Sequence, residues 1–151
     1  GSIRVFLKKS SSFDKKSYID KFIEREVNQG LFKLKTYNNL QAFIMNKKDS
    51  IHKKINALNK KKYVVAGIGA AAKANTLINT FDLNTKHIDF ITDASKHKIG
   101  KFTPKSRIPI YNDKILTKYE NIYAIILSWN ISKVLKKKLI KINNKIKFIG
   151  I

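Results

Sequence analysis

A chain of 151 residues, 43% of them hydrophobic, can hold one domain with a real core and a smaller appended element. It has no cysteine, which excludes disulfides and thiolate metal sites, and its three histidines (His52, His87, His97) stand too far apart in sequence to suggest a metal site. The formal charge of +22 comes from 29 Lys and only 3 Arg, alongside 23 Ile and 14 Asn, the bias expected of an AT-rich coding genome.

That charge is spread evenly. Residues 1–62 carry 16 basic and 5 acidic side chains, and residues 63–151 carry the same numbers, so each part has +11. Nucleic-acid binders gather charge on one face and interleave Arg with aromatics. A solvated lysine surface is the expectation here, without nucleic acid as a partner, although a positive field favours anionic small molecules. No apolar run approaches the roughly 20 residues that span a bilayer, and no signal peptide is visible. The expected location is cytoplasmic, with no membrane partner.

In chain order, Ile3–Leu7 alternates as a strand does, and Ser10–Asp14 reads as a turn with helix-start chemistry. From about Lys15 to Gln29, Tyr18, Ile19, Phe22, Ile23, Glu26 and Val27 recur at helical spacing, and Gly30 closes that helix. Thr36 is the expected N-cap of a longer helix striped by Leu40, Phe43, Ile44, Ile51, Ile55 and Leu58. Continued to Asn59, this helix is about 35 Å long. It outruns any short neighbour and is expected to bridge two bodies.

From residue 63 strand and helix alternate. The pattern predicts strands at 63–66, 88–92, 122–127 and 146–149, and helices at 70–81, near 113–118 and at 131–140. Residues 94–109 read as irregular. Such alternation predicts right-handed crossovers and an α/β fold: a small doubly wound, Rossmann-like parallel sheet. The organisation expected is a strand plus helical linker over residues 1–62, then a Rossmann-like domain over 63–151.

The densest motif is Tyr63-Val-Val-Ala-Gly-Ile-Gly-Ala-Ala-Ala-Lys-Ala-Asn-Thr76. It holds G-x-G-x-x-A, in which Gly67 is expected to allow a tight turn, Gly69 the approach of a ligand, and Ala72 close helix packing. Lys73 falls in a first helical turn, where the dipole disfavours a cation unless an anion lies within reach. Asp93 follows Ala72 by 21 residues, where dinucleotide enzymes hold a ribose hydroxyl; capping a turn or pairing with Lys96 or Lys98 competes with that role. Trp129, the only tryptophan, is either a core or lid residue or a stacking surface, and Asn130 is expected to N-cap the next helix. His97 could serve as a base, but nothing in sequence orients it.

Taken together, Gly67-Ile-Gly-Ala-Ala-Ala-Lys73-Ala-Asn75-Thr76, the segment Asp93-Ala-Ser-Lys-His-Lys98-Ile-Gly100-Lys-Phe-Thr103-Pro104 with Ile108-Pro109-Ile110, and Ser128-Trp129-Asn130 resemble the C-terminal part of S-adenosylmethionine-dependent sugar C-methyltransferases. The resemblance covers essentially the whole chain. Gly1-Ser-Ile-Arg-Val-Phe6 is similar to the strand that closes that family's methyl-donor domain. Ser95-Lys96 and Lys105-Ser106 depart from its pattern, the latter where Gly-Thr is usual.

The resemblance implies that S-adenosylmethionine is bound by an upstream domain, that the principal acid/base groups also lie upstream, and that this chain holds the nucleotide-linked sugar, in deoxysugar biosynthesis. In the implied reaction a base removes the proton beside a ketone and the enolate carbon takes the methyl group. Gly67, Gly69, Ala70, Lys73, Asn75, Thr76, Asp93, Lys98, Trp129 and Asn130 are the candidate substrate-binding residues. No catalytic residue and no metal ligand is assigned. The other readings are an NAD(H)- or nucleotide-binding module of an oxidoreductase or sensor, carried by the glycine motif with Asp93, and a nucleic-acid or scaffold module using the lysine surface.

Overall fold

The computed structural model describes residues 4, 5, 7, 9 and 18–150. The chain divides into two compact units, Gly1–Ala42 and Phe43–Ile151. The expected turn at Ser10–Asp14 lies outside the described residues. The expected strand at Ile3–Leu7 lies partly outside them, and Arg4, Val5 and Leu7 belong to no strand.

The first unit holds α1 (Tyr18–Asn28) and the opening turns of α2 (Leu34–Lys60). Ile19, Phe22, Ile23 and Val27 place one apolar stripe on α1. Gly30, with φ +71°, ends the helix: its N–H donates to Val27 O and that of Leu31 to Glu26 O, the paired bonds of a Schellman cap. Thr36 does not cap α2, which begins two residues earlier. Its hydroxyl donates back to Gly30 O at 2.7 Å, and the Tyr37 hydroxyl donates to Leu31 O at 2.6 Å. The short polar side chain found a backbone acceptor in the preceding turn, a common competitor of capping.

The second unit is a parallel sheet of β1 (Val64–Ile68), β2 (Phe90–Thr92), β3 (Ile110–Tyr111), β4 (Ile122–Ile126) and β5 (Lys147–Ile149), in the order β3-β2-β1-β4-β5. This is the expected α/β architecture with one more strand. β3 lies just past the stretch read as irregular, in residues given to no element, because two residues are too few to show a period. The helices α3 (Ala72–Thr80) and α4 (Ser132–Ile142) link the strands, with a 3₁₀ helix at Asp113–Lys118 where a short helix was expected.

Both faces of the sheet are covered. Val65, Ile91 and Ile125 pack with Ala74 and Ile78 of α3 and with Ile51 and Ile55 of α2. Ala66, Ile68, Phe90 and Ala124 pack on the other side with Leu116 and with Leu139 of α4. Strands buried on both sides read as continuous apolar runs, as Ile122-Tyr-Ala-Ile-Ile126 does. The second half of α2 is also held by polar contacts to the segment after α3. Lys48 pairs with Asp82, His52 Nε2 lies 2.6 Å from Phe81 O, and Asn59 Nδ2 donates to Lys86 O at 2.9 Å.

Candidate functional site

In sheets of this order, ligands sit beyond the strand ends where the order reverses, here between β1 and β4. The chain itself fills that crevice. Gly69 is the left-handed residue of the turn after β1, with φ +90°. A Cβ built on it would lie 2.3 Å from Ser128 Oγ, so the missing side chain makes room for the loop after β4. Gly67 is not in the turn at all. It lies inside β1, where a Cβ would meet Leu127 Cδ1 at 2.7 Å and Ile91 Cγ1 at 2.8 Å.

The backbone of the glycine turn is also engaged. The Gly69 N–H donates to Thr92 O at 2.7 Å, and the Ala70 N–H donates to Asp93 Oδ2 at 2.8 Å. Asp93 Oδ1 accepts from Ser95 N–H at 2.8 Å, and Lys98 Nζ stands 3.2 Å from Oδ2. Partial burial pushes this carboxyl up. The Ser95 and Ala70 N–H groups and the Lys98 ammonium outweigh that, leaving it below the ordinary aspartate range. The carboxylate thus stands where a bound phosphate would, and Lys98 answers it. These residues do not fit S-adenosylmethionine or NAD(H) at the glycine turn: two of its N–H groups are consumed, and Ser128 occupies the space a Gly69 ligand needs.

A different concavity runs along α3. A groove of about 590 Å³ is lined by Lys73, Thr76, Leu77 and Thr80, with Phe81 after the helix, Phe43 and Ile44 of α2, and Trp129. Spacings of three and four put the α3 residues on one face. The floor is apolar. Lys73 makes no ion pair with any described carboxylate, and Trp129 is 48% exposed. The Thr76 hydroxyl bonds back to Ala72 O at 3.3 Å.

The ten candidate residues therefore separate. Lys73, Thr76 and Trp129 share the groove. Gly69, Ala70, Asp93 and Lys98 form the closed turn and its lock, and Gly67 lies inside β1. Asn75 lines a different, small cavity of about 40 Å³ together with Thr103 and Pro104. Its Oδ1 is buried and has no partner among the described residues, as is the hydroxyl of Thr92. Asn130 is exposed in a 3₁₀ turn (Trp129–Ile131) and does not cap α4, which Ile131 precedes without a side-chain bond. His97 is exposed in a turn.

Thr92, Phe43, Ile44 and Thr80 were missed from sequence as site residues, and Ser128 was read only as part of the Ser128-Trp129-Asn130 loop. Among the described residues no group of His, Asp and Glu could hold a metal ion, and no helix is long and apolar enough to cross a membrane.

Sheet order, glycine turn and groove define a Rossmann-like α/β domain whose turn is locked by its own carboxylate. The chain belongs to the C-methyltransferase C-terminal domain family, whose profile matches residues 1–150. It is similar to C-methyltransferase NovU of Streptomyces niveus, 27% identical over 131 residues that cover 86% of this chain and 31% of that protein. The chain thus spans less than a third of the length of that curated relative.

Proposed function

We propose that this chain is the acceptor-side domain of an S-adenosylmethionine-dependent C-methyltransferase, holding a nucleotide-linked sugar while a separate domain carries the methyl donor. The observation that carries the reading is that Lys73 and Trp129 line the same apolar groove. A cation in the first turn of α3 opposes the helix dipole, and a diphosphate beside it would satisfy the Lys73 ammonium and complement the dipole. A half-exposed indole beside an apolar floor suits a planar base. The closed glycine turn supports the acceptor-side assignment, because a donor site needs the N–H groups that Thr92 and Asp93 already take. Family membership supports methyl transfer to carbon.

Trp129 is the only tryptophan, so its fluorescence reports on the groove directly. Titration with thymidine diphosphate is expected to quench it, with only a shallow dependence on salt, and Lys73→Ala is expected to weaken binding about tenfold, or about 1.4 kcal/mol. A response to NAD or S-adenosylmethionine with thymidine diphosphate silent would overturn the reading and make the glycine turn a cofactor site.

A further inference from the structure

We infer that α1 and the opening turns of α2 form the face that docks the methyl-donor domain, an inference that rests on the acceptor-side reading above. The long helix carries the argument. One stripe runs along α2, and its second half is covered by the sheet: Ile51 and Ile55 are 1% and 0% exposed. The same stripe is bare at its start, where Tyr37 and Leu40 are 52% and 53% exposed. Within that unit α1 repeats the pattern, with Ile19, Phe22 and Val27 each more than half exposed.

An 11-residue helix is marginal in water without tertiary cover. Yet this elbow is built rather than loose. The Schellman cap at Gly30 and the Thr36 and Tyr37 hydroxyls fix the turn between the two helices. A braced pair of helices with its apolar side chains outward is preorganised for a partner, and soluble domains rarely leave such surface uncovered. The charge differs as well. α1 holds three of the ten carboxylates of a strongly basic chain, Asp20, Glu24 and Glu26, against Lys21 and Arg25. That mixture suits the polar rim of a specific interface. The occupant fits the length comparison: most of the curated relative lies outside the matched stretch.

The probe is C-methyltransferase NovU shortened by the stretch this chain matches, titrated by calorimetry with the intact 151-residue chain. Phe22→Asp and Leu40→Asp should each weaken binding at least tenfold, whereas Val134→Asp, an exposed apolar site on α4, should not. Hydrogen exchange of the α1 amides should slow at least tenfold in the complex. Binding that survives both elbow variants overturns the docking face and leaves the acceptor-side reading intact. No binding by the parent chain overturns that reading's partner. A dimer of the chain alone that Phe22→Asp dissociates would give the face to a second copy and overturn the inference.

Discussion

Asp93 accepts the N–H of Ala70 at 2.8 Å, so a carboxylate twenty-three residues downstream occupies the anion position of the glycine turn. The turn keeps the shape of a phosphate loop without its vacancy, and that relationship separates the groove from the motif.

Asp93→Asn is the first prediction. An amide offers one acceptor where the carboxylate offers two, so Ala70 or Ser95 loses its partner and Lys98 its counter-charge. We expect a loss of about 1–3 kcal/mol in denaturant unfolding. The acid dependence should change too. A carboxyl held below its ordinary value stabilises the fold fully above about pH 3.9, and that stabilisation is lost as pH falls through the lowered value. The variant should lack this loss.

Gly69→Ala should cost about 1–3 kcal/mol from backbone strain at φ +90°. The contact with Ser128 adds to it. Pairing the change with Ser128→Gly should recover the contact share and leave the backbone share, a coupling measurable by a double-mutant cycle.

Ile55→Ala should destabilise the sheet unit by about 2–5 kcal/mol, because the side chain is fully buried in the core under α3. Leu40→Ala, on the same helix stripe but exposed, should stay within about 0.5 kcal/mol in thermal melts of the chain alone. Equal effects would mean that α2 has one continuous environment.

His87 stands edge-on to His52 at 4.7 Å between ring centres. Burial first, then the positive fields of His52 and Lys86, hold it below its ordinary value. The unfolded chain therefore takes the proton first. Stability is complete above about pH 6.5 and declines as pH falls from there towards the lowered value. His87→Gln should flatten that decline in melts recorded between about pH 7.5 and 5.

Lys105 is left-handed at φ +63°, in the position where the family resemblance places glycine. Lys105→Gly should raise stability by about 1 kcal/mol, read as a higher Tm.

Much of the architecture was written locally. Four of the five strands, the helix at α3 and the Gly30 cap followed from apolar runs and a residue free to take positive φ, properties that neighbours along the chain dictate. β3 was not legible, since two residues acquire strand character only by pairing with β2. Nor was the fate of the glycine motif. Its spacing predicted a turn with free N–H groups, but whether they face a ligand depends on Thr92, Asp93 and Ser128, which only folding brings beside it. Lys73 and Trp129 were candidates from sequence, but their sharing a groove with Phe43 and Ile44 rests on how α2 lies against α3. Periodicity encodes which face of an element is apolar; what covers that face is a contact between residues distant in the chain, and tertiary packing alone decided it.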